Sequence, residues 1–173
     1  MDDAGMWKRI SDQDAEAFEA FYREYASRVR AFLRHSVAGE RAAEDVMQNT
    51  FTEIWHRPPG FDTQRGTLRA YLFGIARKQA AEWWRRQRPE EELALDDAAS
   101  RTTETSSLVV DAFNRLGREH RTLLWLREVE GQSYKELATI LDIPVGTVRS
   151  RLFAAREALR AIWHETPAMK GDR

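Results

Sequence analysis

A short capped helix, a tight turn and a longer basic helix follow one another between Ser133 and Arg160. Ser133 and Glu136 have the spacing of an N-terminal capping box, and apolar residues then recur at helical intervals as far as Leu141. The next three residues end in a proline, which cannot continue a helix. This succession of elements predicts a helix-turn-helix.

The second helix of this unit has two chemically different faces. Its apolar residues recur at steps of four, three and four, which predicts that one face is buried: Val148, Leu152, Ala155 and Leu159. The opposite face then carries Arg149, Ser150, Phe153 and Glu157. Arginine can bridge two acceptors on guanine, serine can pair with several base edges, and phenylalanine can contact a thymine methyl. Arg151 and Arg156 lie at the flanks, where contacts with phosphates are expected. An ordinary helical hairpin with a solvated arginine face is the alternative, and an outward phenylalanine beside arginines favours DNA.

The rest of the chain also has helical periodicity, and no segment has the alternation of a strand. Ser11 and Asp14 resemble a capping box before a first helix, Thr67 is a plausible cap for a third, and a later helix is expected from about Glu119 to Val129. The acidic, Ser/Thr-rich stretch 90–107 has little apolar periodicity and is interpreted as a flexible linker. The predicted fold is all-α, with one helical domain over residues 1–89 and a second over 108–173.

The net charge of −1 conceals a strong segregation of charge along the chain. Nearly all charged residues between 65 and 88 are basic, and most of those between 90 and 104 are acidic. Most charged residues between 149 and 160 are basic again. Two basic segments separated by an acidic one indicate two modules that face a polyanion.

The first basic segment also contains several aromatic residues, namely Tyr71, Phe73, Trp83 and Trp84. Rings interleaved with cations suit single-stranded nucleic acid, because exposed bases stack on the rings while the backbone meets positive charge. The alternative is that most of these rings belong to the core, which is favoured for Trp83.

One face of the second predicted helix is polar and carries Asp45, Gln48, Asn49 and Thr52. This spacing brings the four side chains together, either as a docking surface or as a solvated face.

Several classes of protein lack support in the sequence. The chain has no cysteine, which excludes disulfides and thiol catalysis and fits a cytoplasmic protein. Its four histidines share no metal-ligand spacing and are expected to be ordinary surface residues. No catalytic constellation stands out, so no enzyme activity, metal or cofactor is predicted. The N-terminus lacks the pattern of a signal peptide, and no apolar run approaches the ~20 residues needed to span a bilayer.

Three stretches of the chain together resemble the bacterial sigma factors, and most closely the extracytoplasmic-function (ECF) group. They are residues 43–51 (AEDVMQNTF), residues 73–77 (FGIAR), and residues 134–138 (YKELA) with 144–152 (PVGTVRSRL). The motifs come in the order of the family, and the resemblance covers about residues 14–160.

The resemblance implies a role for each of the surfaces above in the recruitment of RNA polymerase to promoters. The clamp of the largest polymerase subunit would dock on Asp45, Gln48, Asn49 and Thr52. The −10 promoter element would be opened and held as a single strand by Phe61, Arg65, Thr67, Arg77, Lys78, Trp84 and Arg85. The −35 element would be read as duplex by Arg149, Ser150 and Phe153, with Thr147, Arg151 and Arg156. The acidic linker would lie near the RNA exit path.

One departure from the family pattern is Ala154, where relatives often carry an arginine aimed at DNA, so the −35 preference is expected to differ. Only residues 161–173 follow the stretch that resembles the family, which makes control by a separate anti-sigma protein the expectation from the family.

Two other hypotheses remain at this point, and the arrangement of the two domains in the free protein is also open. A freestanding helix-turn-helix regulator would use its N-terminal half to sense a ligand or to dimerise. An enzyme acting on nucleic acid would need metal-binding carboxylates or a nucleophile near the basic segments.

Overall fold

The computed structural model describes residues 2–56, 60–87 and 108–165, and every regular element in these ranges is a helix. The N-terminal bundle consists of α1 (Asp3–Ser11), α2 (Ala15–Arg34), α3 (Glu40–His56) and α4 (Leu68–Gln87). The C-terminal bundle consists of α5 (Leu108–Asn114), α6 (Arg118–Leu124), α7 (Tyr134–Leu141) and α8 (Val145–Glu165). The predicted all-α fold is confirmed, whereas the linker 90–107 lies outside the described residues.

The first helix of the chain was not predicted. Asp2 caps α1 by accepting a hydrogen bond from the Gly5 amide, and Ser11 is the last residue of this helix. The expected role of Ser11 as an N-terminal cap was therefore wrong. The cap of α2 is Asp14, whose carboxylate accepts hydrogen bonds from the two amides at Glu16 and Ala17.

Helices α2, α3 and α4 pack against one another around an aromatic core. Phe32 and Phe73, both fully buried, meet edge to face with 5.5 Å between ring centroids. Among the aromatic residues of the first basic segment, Phe73 therefore belongs to the core, as the core alternative expected. Trp83 is half-buried and packs against the same core.

The C-terminal bundle contains the predicted helix-turn-helix. The capping box is present, because Ser133 Oγ accepts from the Glu136 amide (3.1 Å) and the Ser133 amide donates to Glu136 Oε2 (2.7 Å). Asp142 ends α7 in a left-handed conformation (φ 55°), and Pro144 precedes α8. The helix expected from Glu119 to Val129 is instead α6 followed by a π-helical turn, Trp125–Val129.

The two bundles pack against each other, with α7 lying across α4. Buried residues of both bundles form one hydrophobic core, to which α7 contributes Leu137 and Ile140. This arrangement buries α4 on two sides, one against α2 and α3 and the other against α7.

Candidate nucleic-acid interface

The outer face of α8 is exposed, while its inner face is buried. Val148, Leu152 and Ala155 are fully buried, as the sequence predicts. On the opposite side Arg149 and Ser150 are exposed, and Phe153 exposes 67% of its surface. Ser150 Oγ donates to the Thr147 carbonyl oxygen (3.0 Å), which orients the hydroxyl on this face. The face is therefore exposed to solvent, while the opposite side of the same helix is fixed in the core.

The basic residues beside this face differ in how they are held. Arg156 donates to Glu128 Oε1 (2.7 Å), and hydrogen bonds to Glu128 and Tyr134 raise the pKa of this arginine. Arg149 lies 6.0 Å from the centroid of the Tyr134 ring, within the range of a cation–π contact. Arg151 and Ala154 are exposed. An arginine head held by a partner keeps its position while its remaining N–H groups can still meet phosphates.

The polar face of α3 is also open. Asp45, Gln48, Asn49 and Thr52 are all exposed, while Thr50 on the other side is buried and donates to the Val46 carbonyl oxygen (2.8 Å). The four side chains form one surface on a helix whose inner face is fixed by the core.

Most of the residues expected to hold the −10 element as a single strand fall into two groups in the structure, one exposed and one in contact with the C-terminal bundle. Arg65, Lys78 and Arg85 have exposed side chains, and Arg85 is paired with Glu82. Thr67 caps α4 through the Ala70 amide (3.1 Å), as predicted, and its hydroxyl also donates to Glu136 Oε1 of α7 (2.7 Å).

The C-terminal bundle covers other members of this set. Arg77 Nε donates to the Ile140 carbonyl oxygen at 3.0 Å, and burial lowers the pKa of this arginine. Trp84 donates from Nε1 to the Ser36 carbonyl oxygen (2.8 Å), while the Arg118 guanidinium lies over its ring at 4.8 Å. The face that the sequence marks for single-stranded nucleic acid is thus partly occupied by the neighbouring bundle.

Further polar contacts close the same interface. Thr139 Oγ1 donates to the Arg65 carbonyl oxygen (2.9 Å), and Arg121 Nε donates to the His35 carbonyl oxygen (2.9 Å). Arg28 Nη2 pairs with Glu130 Oε2 at 2.6 Å, and only 3% of the Glu130 side chain is exposed. The two bundles are therefore joined by specific hydrogen bonds as well as by apolar packing.

Glu136 accepts hydrogen bonds from both bundles. Burial raises the pKa of this carboxyl, but hydrogen bonds from Ser133 and Thr67 outweigh that effect and lower it. The same side chain completes the cap of α7 and accepts a hydrogen bond from the start of α4.

His35 corrects the expectation that all histidines are surface residues. Its ring is half-buried, 4.5 Å from the Trp125 ring and 5.6 Å from the Phe113 ring. Burial lowers the pKa of His35. Sequence reasoning missed this residue and Arg28, since neither stands out from its neighbours in a helical pattern.

Within the part of the chain that the structure describes, no helix combines the length and apolar character needed to cross a membrane. Among the same residues, no group of three or more His, Asp or Glu side chains has an arrangement suited to a metal ion.

Comparison with known proteins identifies two regions. Residues 21–90 match the family model of Sigma-70 region 2, and residues 106–159 match Sigma-70, region 4. The chain is 31% identical to the ECF RNA polymerase sigma factor SigL of Mycobacterium tuberculosis, over 88% of this chain and 92% of the relative. It is 30% identical to the RNA polymerase sigma-H factor of Pseudomonas aeruginosa, over 91% of each.

Solved structures share the fold. CnrH, in complex with the cytosolic domain of CnrY, has a TM-score of 0.72 at 24% identity, covering 94% of this chain and 97% of CnrH. RpoE of Bartonella quintana, in complex with the anti-sigma factor NepR, has a TM-score of 0.68 at 24% identity, covering 92% of this chain and all of RpoE.

Both sigma regions are present in the family's order, which supports neither a freestanding regulator nor an enzyme acting on nucleic acid. The chain belongs to the ECF group of bacterial RNA polymerase sigma factors, which bind core polymerase and direct promoter-specific initiation of transcription.

Proposed function

We propose that Arg149, Ser150 and Phe153 read the −35 element in the major groove of duplex DNA, and that Thr147, Arg151 and Arg156 contact its backbone. The observation that carries this assignment is the 67% exposure of Phe153 between basic and hydroxyl neighbours, opposite a fully buried stripe on the same helix. An apolar ring kept in water beside arginines is expected where a thymine methyl and phosphates will cover it. Exposed Ala154 leaves a gap in this surface, so one base position is read by fewer contacts.

The −10 element is assigned to the segment before α4 and to the basic side of that helix. Phe61, Arg65, Thr67, Arg77, Lys78, Trp84 and Arg85 form this set. Its support is the combination of rings and cations, since unpaired bases stack on rings while the phosphates meet positive charge. The exposed face of α3, with Asp45, Gln48, Asn49 and Thr52, is assigned to the clamp of core polymerase.

These assignments require the two bundles to separate. Helix α7 packs on α4, half-buries Arg77 and accepts hydrogen bonds from Arg77 and Thr67, so a DNA strand cannot lie along this part of α4 and the observed arrangement is a closed state. Core polymerase would dock on α3, in the domain assigned to residues 1–89, and it favours the open state if it binds that state more tightly than the closed one.

An anti-sigma protein is the expected regulator of this chain. The chain itself is expected to act by binding, without catalysis. Its expected location is the cytoplasm, where polymerase and promoters are. The support for such a partner is that RpoE, which shares this fold, was solved with the anti-sigma factor NepR. Such a partner would cover the open surfaces of α3 and α8.

In vitro transcription with purified core polymerase tests the proposal. The chain should start transcripts only from templates with both promoter elements, and Arg149→Ala should reduce initiation in a −35-dependent manner. Specific binding of the isolated protein to an operator, with no gain when core is added, would instead support a freestanding regulator.

A further inference from the structure

Helix α1 lies outside the region that matches the family model, which begins at residue 21. It nevertheless packs against both α2 and α4, and its Ile10 is fully buried. The roles assigned above to α3, α4 and α8 leave this helix without a function.

Polar groups of α1 and its following turn hold both helices that flank the segment containing Phe61. Gln13 Nε2 donates to the Trp55 carbonyl oxygen at 2.8 Å, close to the C-terminus of α3. Asp3 Oδ2 accepts a hydrogen bond at 2.7 Å from the amide of Leu68, the first residue of α4. Both bonds satisfy backbone groups that a helix end leaves without an intrahelical partner. A carboxylate at a helix N-terminus also meets the positive end of the helix dipole.

Trp7 reaches the middle of the same segment. Its ring meets Phe61 edge to face with 5.9 Å between centroids, and it meets Tyr71 in the same way at 5.4 Å. Phe61 and Tyr71 are themselves 5.5 Å apart, so the three rings form one cluster. All three rings are half-buried, and burial raises the pKa of Tyr71 to about 12.

We propose that α1 is a positioning element for −10 recognition, in which Trp7 fixes the ring of Phe61 while Asp3 and Gln13 hold the flanking helix ends. The inference rests on the proposed −10 role of Phe61. A ring held in this way presents a constant surface to an unpaired base, and a mobile ring would have to be ordered on each binding event. Trp7 contacts no DNA in this scheme and acts through Phe61.

The test uses the full chain with core polymerase and compares Trp7→Ala with wild type on duplex promoters and on promoters with a pre-melted −10 region. We expect Trp7→Ala to lower formation of the open complex on duplex promoters by about tenfold, the scale of one aromatic contact. Discrimination among single-base −10 variants should become weaker. Core affinity and binding to an isolated −35 duplex should stay unchanged. Trp7→Phe, which keeps an edge-to-face contact, should restore discrimination.

Met6→Ala is the matched control, because Met6 lies on the same helix and packs against the core without a ring contact to Phe61. It should leave −10 discrimination as in wild type. If Trp7→Ala reduces the folded fraction, Trp7→Leu keeps apolar volume and carries the same test.

Phe61→Ala distinguishes failure of the positioning role of Trp7 from failure of the −10 role of Phe61. If Phe61→Ala loses −10 discrimination and Trp7→Ala keeps it, the positioning role is overturned. If Phe61→Ala keeps full discrimination, the −10 assignment of Phe61 itself falls. Equal losses in the Met6 and Trp7 variants would mean that α1 only stabilises the fold, which also overturns the inference.

Discussion

Arg28→Met should open the closed arrangement of the two bundles. The Arg28 guanidinium pairs with Glu130, whose side chain is 3% exposed, across the bundle interface. Removal of one partner from a fully buried pair costs about 3–5 kcal/mol, because the remaining charge is left without compensation. Arg28 itself is 39% exposed, so screening by water reduces the expected cost to about 2 kcal/mol.

This cost falls mainly on the closed state, because the open state has already lost the contact between Arg28 and Glu130. A change of about 2 kcal/mol shifts the equilibrium between closed and open states by about thirtyfold. Methionine keeps much of the apolar stem of arginine, so the fold of α2 should be retained.

Distance measurements between two dyes test this prediction directly. The chain has no cysteine, so cysteines introduced at exposed Arg41 and Ala161 are the only sites that react with the dyes. Single-molecule energy transfer should reveal a larger open population in Arg28→Met than in wild type.

The matched control is Arg30→Met, since Arg30 also forms ion pairs, with Glu40 and Glu44, but within the N-terminal bundle. It should leave the distances unchanged. Addition of Glu130→Gln to Arg28→Met should recover much of the closed population, because the unpaired charge is removed. Identical distance distributions in wild type and Arg28→Met would refute the reasoning.

Three further outcomes are expected. Arg149→Ala should cost about 1–3 kcal/mol in binding to the −35 element and relax one base preference, whereas uniform weakening over all −35 sequences would mark a phosphate contact. Replacement of Asp45 and Gln48 by alanine should weaken the binding of core polymerase without a change in thermal unfolding, and unchanged affinity would remove the docking assignment. The closed population should fall as the pH drops below about 6.5, because the free imidazole protonates there while burial between Phe113 and Trp125 lowers the pKa of His35 in the closed state. The contribution of neutral His35 to the closed state is thus complete above about pH 6.5 and is lost as the pH falls toward the lowered pKa of His35. The variant His35→Phe should remove this pH dependence from the dye distances.

Local sequence determined most of the helices and both open surfaces, on α8 and on α3. The capping box at Ser133, the proline after Asp142 and the apolar spacing of α8 each act within a few residues, so the helix-turn-helix and its outward Phe153 could be predicted. The open polar face of α3 follows from the same periodicity. Helix α1 was missed because its nine residues are too short a stretch to establish a helical apolar period, which needs a window of about 11–18 residues.

Only the tertiary structure decided which predicted surfaces are covered. Arg77 belongs to a basic face by its spacing, but its partner is the carbonyl oxygen of Ile140, 63 positions along the chain. Likewise, Arg28 and Glu130 are 102 positions apart, and Asp3 caps Leu68 from 65 positions away. Helical periodicity carries information over one or two turns and says nothing about which helix covers a given face. The sequence alone therefore indicated surfaces suited to DNA and polymerase, and the packing of α7 on α4 decided that one of them is closed in the free protein.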